Sequence, residues 1–387
     1  MASSRLPGLD LLRAVAIVWV MAFHTFWLDG VVDQGIVSRS GWMGVDLFFA
    51  LSGFLIGTQV LRPLSQGGGL AFGDFYLRRA FRILPAFWVV LACYALWPTL
   101  REVPGIRPAW EYLSFTMNLL PAPATQAAFS HVWSLCVEEH FYLLFPLFAW
   151  TLARRGSVAM TMSIAACLVL GGIALRGWLW MHRLQPVLLD GGAAGPVYLR
   201  YLYDPTWARL DELLDGVLLA AFCCYRERGW AWLQAHANAM SVLGLGIVGI
   251  CVAWFDGRRM DWAPNVFGYP LLALGLTLLV AAGASARGVL ARLAVPGAGW
   301  VARVSYSLYL THKAVYMLVH RHLGAWVEGH GLLTLLVYAL AVLAVGAALH
   351  YGVERPFLRL RRRVLARLHG RAGALVRPAR RCVASGE

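Results

Sequence analysis

Long apolar segments separated by short polar connections run through almost the whole chain. A hydropathy scan with a window of about 19 residues predicts ten membrane spans, with boundaries accurate to about 4 residues. The predicted spans lie near residues 9–28, 43–61, 83–100, 131–152, 158–181, 206–224, 240–256, 264–284, 300–319 and 332–353. The pattern predicts an all-α, polytopic integral membrane protein with about ten transmembrane helices.

The composition excludes a soluble globular protein. Of 387 residues, 59% are hydrophobic and only 14% are charged, which leaves too little polar surface to cover a soluble domain of this length. The formal net charge of +14 comes almost wholly from arginine, because Lys313 is the only lysine. The basic residues lie between apolar spans and form no single groove, so no nucleic-acid partner is expected. The spacing of the seven cysteines indicates neither a disulfide framework nor a metal site.

The distribution of arginine predicts which loops face the cytoplasm. With the N-terminus inside, the cytoplasmic loops hold the larger set: Arg62, Arg78, Arg79, Arg82, Arg154, Arg155, Arg226, Arg228, Arg287, Arg292 and Arg303. The opposite loops are longer and hold the smaller set: Arg39, Arg101, Arg107, Arg183, Arg200, Arg258, Arg259 and Arg321. Both termini are therefore expected in the cytoplasm, and the long connections 101–130 and 182–205 on the outer side.

The residues after the last predicted span differ from the rest of the chain. They alternate apolar residues with arginines, as in "RLRRRVLAR", which is typical of an amphipathic helix on anionic membrane lipid. We therefore divide the chain into a membrane domain, 1–355, and a basic cytoplasmic tail, 356–387. At the junction, Glu354 and Arg355 are expected to pair with each other.

The first span contains the stretch "RAVAIVWVMAFH", which runs from Arg13 to His24. Eleven residues are about three helical turns, so the two side chains share one face, roughly 16 Å apart along the axis. An ionisable group within a span costs at least a few kcal/mol and normally faces the protein interior. Taken alone, Arg13 also fits an interfacial anchor, and His24 also fits a core histidine bonded to a backbone carbonyl.

The second and third spans place further charged residues near the two ends of the first. Asp46 in "GWMGVDLFFALSGFLIG" lies at the outer end, where it either caps its helix or takes part in chemistry. Arg78, Arg79 and Arg82 in "FYLRRAFRILPAFW" lie at the inner end. They serve either as positive-inside anchors or, together with Arg13, as a cradle for a polyphosphate.

The fourth and ninth spans contain polar residues that are costly within a membrane. In "HVWSLCVEEHFYLLFP", His131 and Glu138 are seven residues apart and share one helical face. The ninth span, "SYSLYLTHKAVYMLVH", also carries hydroxyl and imidazole groups, although hydroxyls commonly only bind helices together. The further candidate site residues in these two spans are Ser134, Tyr306, Tyr309 and His312.

These motifs occur in an order that resembles the membrane acyltransferase-3 family of O-antigen, peptidoglycan, exopolysaccharide and macrolide acyltransferases. The resemblance rests on Arg13 and His24 followed by "GVDLFFALSGFLIG", "LRRAFRILP", "WSLCVEEHFYLLFP", "SYSLYLTH" and "ERPF", and covers roughly residues 5–357. It implies transfer of an acyl group, usually acetyl, from cytoplasmic acyl-CoA to a hydroxyl at the outer side. It also implies that His24 is catalytic and that Arg13 and the group Arg78, Arg79 and Arg82 contact the CoA.

The residues and the resemblance agree on a mechanism. We expect His24 to act as general base on the acceptor hydroxyl, with Glu138 or Asp46 fixing its tautomer as the carboxylate does in a Ser-His-Asp triad. A covalent acyl-histidine is the alternative. The expected acceptor is a sugar hydroxyl of a polysaccharide, lipid-linked glycan or glycosylated metabolite, reached from a bacterial cytoplasmic membrane. Larger relatives append a hydrolase-like domain that this sequence lacks, so direct transfer, a partner transferase or a homodimer is expected.

Two other functions compete. A proton-coupled secondary transporter would use His24, Glu138 and His312 as a proton relay, but it does not require the arginine cluster. A polyprenyl-linked glycosyltransferase would use acidic residues in the first outer loop, where Asp29 and Asp33 lie. A metal site formed by His320, His322 and His330 has no carboxylate or cysteine partner at a suitable spacing.

Overall fold

The computed structural model describes residues 6–26 and 35–375. Asp29 and Asp33 lie outside the described residues. Eleven helices of 15 residues or more form this part of the chain: α1 Pro7–Phe26, α2 Met43–Ser65, α3 Phe72–Leu96, α4 Trp133–Arg155, α5 Val158–Leu179, α6 Asp211–Tyr225, α7 Ala237–Phe255, α8 Tyr269–Gly283, α9 Ala298–Val327, α10 Leu332–Leu349 and α11 Arg355–Leu375. The described residues contain no β-strand, apart from an isolated bridge between Ile106 and Ala127.

Short helical pieces connect or extend the long helices. The short α-helices are Ile36–Arg39, Ala109–Leu113, Gln185–Leu189, Ala194–Tyr198, Glu227–Ala235 and Val289–Arg292. The 3₁₀ turns are Pro98–Leu100, Ala124–Gln126, Ser130–Val132 and Thr206–Ala208. The π-helical turns are Trp180–Leu184, Leu199–Tyr203, Pro264–Gly268 and His350–Glu354.

Each of the ten segments predicted as spans contains a helix, and the all-α membrane class is confirmed. Seven helical stretches in the described residues are long and apolar enough to cross a membrane: Pro7–Thr25, Met43–Ser65, Phe72–Leu96, Ser163–Leu189, Ala237–Phe255, Pro264–Gly283 and Leu332–His369. The helices α4 and α9 are long enough but carry many polar side chains, and α6 has only 15 residues. The count of about ten spans and the sides of the termini stay predictions.

Helix α2 is buried along most of its length and packs against α1, α6 and α8. Glycines allow its closest contact, because a Cβ on Gly53 would clash with the carbonyl of Leu213, and one on Gly216 with that of Ala50. Small residues at a helix crossing let the two backbones approach in this way. The contact fixes α2 as one wall of the bundle.

Helices α1, α3, α9 and α10 form the neighbouring part of the bundle, where α9 packs against the other three. Helix α10 continues through the turn His350–Glu354 directly into α11. Helix α11 packs against the start of α3, where Arg361 Nη1 donates to the carbonyl of Arg78 at 3.4 Å and His369 Nε2 lies 2.9 Å from Asp74. The first part of the predicted tail is therefore packed on the membrane domain.

Candidate active site

A large cavity of about 1030 Å³ opens between α1, α2, α3, α4, α9 and α11. It extends from the end of the bundle where α1 and α3 begin to Ser134 at the start of α4 and to Tyr309 in α9. Eight of the twelve candidate site residues predicted from the sequence lie on its wall: Arg13, Arg78, Arg79, Arg82, Ser134, Glu138, Tyr306 and Tyr309. Most of the candidate residues therefore lie on one cavity, and their roles stay predictions.

Six arginines line the wide part of the cavity. Four are the predicted Arg13, Arg78, Arg79 and Arg82, and two more come from α9 and α11, namely Arg303 and Arg361. Three acidic residues offset part of this charge: Asp10 lies 3.7 Å from Arg13, Asp74 lies 3.7 Å from Arg78, and Glu354 pairs with Arg82. The positive charge on the wall exceeds the negative charge, so the cavity is suited to a polyanion.

Glu354 holds Arg82 in place, which corrects the expected pairing between Glu354 and Arg355. The Glu354 carboxylate is fully buried and accepts hydrogen bonds from Arg82, from Ser307 Oγ at 2.8 Å and from His350 Nδ1 at 2.8 Å. Arg355 lies instead over the Tyr351 ring, 5.5 Å from its centre. The turn His350–Glu354 places both His350 and Glu354 on the inside, a geometry that simple spacing did not indicate.

Glu138 lies on the cavity wall and is held by hydroxyl groups. It accepts hydrogen bonds from Ser52 Oγ at 2.7 Å and Tyr142 Oη at 2.8 Å. The guanidinium of Arg79 lies over the Tyr142 ring, 4.3 Å from its centre. Ser52 and Tyr142 were missed in the sequence, where a lone hydroxyl in a span gives no signal beyond ordinary helix packing.

Two tyrosines of α9 line the cavity at different depths. Tyr306 Oη donates to the carbonyl of Ile83 at 2.8 Å and so joins α9 to α3. Tyr309 Oη lies 2.6 Å from Ser134 Oγ and donates to the carbonyl of His131 at 2.7 Å. The Tyr309 and Ser134 pair therefore lies at the deep end of the cavity, away from the arginines.

Three histidines, His24, His131 and His312, lie next to each other beyond this pair. His312 Nε2 lies 3.1 Å from His24 Nδ1, and the centre of the His131 ring is 4.9 Å from that of His312 and 6.5 Å from that of His24. None of the three is among the residues that line the cavity. The Tyr309 ring, 5.4 Å from His131 and 5.7 Å from His312, lies between the cavity and the histidines.

The His24 ring contacts another histidine, His312, and the backbone carbonyl of Val20, where a carboxylate was expected. Asp46 is fully buried and pairs with Arg209, in the turn before α6. Glu138 bonds to its two hydroxyl neighbours, so no hydrogen bond in the described residues joins either carboxylate to His24. Sequence spacing placed these groups at comparable depths but could not tell which helices face each other.

On the side away from the cavity, Lys313 connects α9 to the connection 101–130. Its Nζ lies 2.8 Å from Ser130 Oγ and 3.1 Å from Glu102 Oε1, and the other Glu102 oxygen accepts from the backbone N–H of Phe129 at 3.1 Å. Glu102 was not singled out in the sequence because it lies in a loop, without periodicity. Through these contacts Glu102 holds the connection against α9 beside His312, on the side of the histidines away from the arginines.

Among the described residues, no group of three or more histidine, cysteine, aspartate or glutamate side chains is arranged to hold a metal ion. His320 lies within α9, and its Nδ1 is 2.6 Å from Glu328 Oε1 in an ion pair or hydrogen bond of its own. The arrangement as a whole offers a polyanion site, a polar inner end and a pair of imidazoles.

Comparisons with known proteins identify relatives of this chain. The chain is 26% identical over 339 residues to YrhL of Bacillus subtilis, which is named as a peptidoglycan O-acetyltransferase, covering 81% of this chain and 49% of that protein. It is 27% identical over 369 residues to the O-acetyltransferase OatA of Staphylococcus aureus, covering 87% and 54%. The chain thus spans about half the length of these curated relatives.

No solved structure gives a significant match. The sequence profile of the family described as an acyltransferase domain matches residues 6–351, nearly the whole chain. The chain therefore belongs to this acyltransferase family.

Proposed function

We propose that the protein is a membrane O-acyltransferase that takes an acetyl group from cytoplasmic acetyl-CoA and transfers it to a glycan hydroxyl on the outer side. The observation that carries this proposal is the arginine-lined cavity, which ends at Tyr309 beside the histidine pair. The names of both relatives support an acetyl group, and the name of YrhL supports a glycan acceptor. The proposal places the protein in a bacterial cytoplasmic membrane with its arginine-rich end inside.

The cavity matches acyl-CoA in size and charge. Its volume of about 1030 Å³ lies at the upper end of the usual range for small-molecule sites. CoA carries a diphosphate and a 3′-phosphate at one end, and guanidinium groups bind such oxygens through paired hydrogen bonds. With the phosphates among Arg78, Arg79, Arg82 and Arg361, the pantetheine arm extends towards Ser134 and Tyr309.

The chemical step uses His24 as general base. His24 takes the proton of the acceptor hydroxyl, the oxygen attacks the thioester carbonyl carbon, and the carbon–sulfur bond breaks as the ester forms. The proton then passes from His24 to the departing CoA thiolate. Positioned base catalysis of this kind contributes about 100- to 10,000-fold. Since Tyr309 separates His24 from the cavity, the proposal requires its side chain to move when the acyl group enters.

Binding measurements test the donor assignment. We expect the protein in lipid nanodiscs to bind acetyl-CoA with a Kd between about 1 μM and 1 mM, more weakly as salt rises, and free acetate not at all. Arg78→Gln and Arg82→Gln should each weaken binding about tenfold, while Arg154→Gln, at the same end of the bundle but off the cavity, should not. Equal effects of all three variants would leave the arginines as topological anchors and remove the proposal's main support.

A further inference from the structure

We propose that His312 is a positioning residue that, together with the carbonyl of Val20, fixes the tautomer and orientation of the His24 ring, so that Nε2 of His24 is the atom that accepts the proton. This inference rests on the proposed function. It assigns to a neutral imidazole the task that a carboxylate performs in a Ser-His-Asp triad.

The first step fixes the proton on His312. Its Nδ1 lies 2.7 Å from the carbonyl oxygen of Tyr309, and a carbonyl oxygen can only accept a hydrogen bond. Nδ1 of His312 must therefore carry a hydrogen. A neutral imidazole has one N–H, so Nε2 of His312 holds a lone pair and is an acceptor.

The second step determines which nitrogen of His24 carries the hydrogen. Nδ1 of His24 lies 3.1 Å from Nε2 of His312 and 3.0 Å from the carbonyl oxygen of Val20. Both neighbours are acceptors, so Nδ1 of His24 must be the donor. In the other tautomer, the lone pair on Nδ1 of His24 would face the lone pairs of His312 Nε2 and of the Val20 carbonyl oxygen, which repel it. Nε2 of His24 is then unprotonated, and it makes no hydrogen bond to the described residues.

The third step concerns the charged state of the pair. When Nε2 of His24 takes the acceptor's proton, the positive imidazolium keeps its Nδ1 hydrogen and donates it to Nε2 of His312. A charge-assisted hydrogen bond is about twice as strong as a neutral one, so the contact strengthens in the transition state. Before the reaction both rings are neutral, which avoids the desolvation cost of a carboxylate buried in the membrane.

The surroundings of His312 leave it little freedom. It is fully buried, with the Tyr316 ring 5.9 Å away on one side and the His131 ring 4.9 Å away on another. Tyr316 Oη also donates to the carbonyl of Met21 at 3.2 Å, which holds α9 against α1. Because the Tyr309 carbonyl belongs to the same helix, the direction of the His312 ring is set by α9 itself.

The test combines a spectroscopic and a kinetic measurement on the full chain in nanodiscs. The ¹⁵N spectrum of histidine-labelled protein, with the His24 signals assigned from the His24→Ala variant, should show a protonated Nδ1 and an unprotonated Nε2 at His24. A proton on Nε2 would overturn the inference. This measurement needs no substrate, so its outcome is independent of whether acetyl-CoA binds.

Two variants separate positioning from packing. His312→Gln keeps an acceptor oxygen at about the reach of Nε2, so kcat should fall less than about tenfold. His312→Phe keeps the ring but no acceptor, so kcat should fall about 100-fold or more while KM for acetyl-CoA stays within about twofold. Tyr316→Phe, the matched control, removes a hydrogen bond between the same helices and should retain kcat. Equal losses in His312→Gln and His312→Phe would contradict positioning by His312.

Discussion

Ser134 Oγ and Tyr309 Oη lie 2.6 Å apart where the arginine-lined cavity ends, and the imidazoles of His24 and His312 lie just behind them. Tyr309 contacts both Ser134, on the cavity wall, and His312, in the histidine pair. Its hydroxyl faces the cavity wall, and its carbonyl accepts from Nδ1 of His312. Tyr309, together with Ser134, therefore forms the boundary between the donor site and the histidines.

Removing the Tyr309 side chain should open the histidine pair to water. We expect Tyr309→Ala to hydrolyse acetyl-CoA in the absence of acceptor at least about tenfold faster than wild type, because excluded water then reaches His24. Release of free thiol measures this rate. The added hydrolysis should disappear in the double variant Tyr309→Ala/His24→Ala. Hydrolysis that is unchanged by Tyr309→Ala would show that the ring is not the barrier.

Arg361 should contribute to donor binding although it belongs to the predicted tail. It lines the cavity near Arg78, and one charge-assisted hydrogen bond to a phosphate is worth about tenfold in affinity. Arg361→Gln should therefore raise the Kd for acetyl-CoA about tenfold. Arg363→Gln, two residues on and exposed, is the matched control. If both variants bind acetyl-CoA equally well, Arg361 does not contact the donor, and α11 serves only to bind lipid.

Glu354 and Asp74 should have opposite effects on donor binding. Glu354 is buried and fixes Arg82, so Glu354→Gln should raise KM for acetyl-CoA about tenfold by releasing that guanidinium. Asp74 is partly exposed at 3.7 Å from Arg78, so Asp74→Asn removes a repelling charge and should lower KM slightly. Steady-state kinetics measure KM for acetyl-CoA in both variants. They distinguish a carboxylate that positions an arginine from one that competes with the phosphates for it. A lower KM in Glu354→Gln would mean that Glu354 only competes with the phosphates.

Asp46 should prove structural. Its buried pair with Arg209 predicts that Asp46→Ala loses about 3–5 kcal/mol of stability, because the arginine is left uncompensated. Replacing both residues, Asp46→Leu with Arg209→Met, should restore thermal stability and keep acetyl transfer. Thermal unfolding and activity measured together distinguish the two roles. A stable but inactive double variant would return Asp46 to the chemistry.

The helices could be predicted because their signal is local. Hydropathy located a helix in every predicted segment, and its main error was at α3, predicted near residue 83 and observed from Phe72. The arginines there lower the hydropathy, yet arginine is a good helix former. Likewise α9 continues to Val327 through polar residues that ended the predicted span.

The pairings could not be predicted because they join distant parts of the chain. Arg82 and Glu354 are 272 residues apart, and His24 and His312 are 288 apart. Helical spacing places a side chain on a face and at a depth, but not against a particular neighbour. For the same reason the amphipathic pattern of α11 could not tell a face on lipid from a face on the cavity, where Arg361 lies.

Transfer of labelled acetyl groups across the membrane tests the central claim most directly. Inside-out membrane vesicles would be supplied with [¹⁴C]acetyl-CoA, and base-labile label on enclosed glycan would be measured for wild type and His24→Ala, with folding and insertion verified. We predict ester label on the glycan with the wild type, and a loss of at least about 100-fold with His24→Ala. Label within tenfold of wild type in His24→Ala would contradict the account.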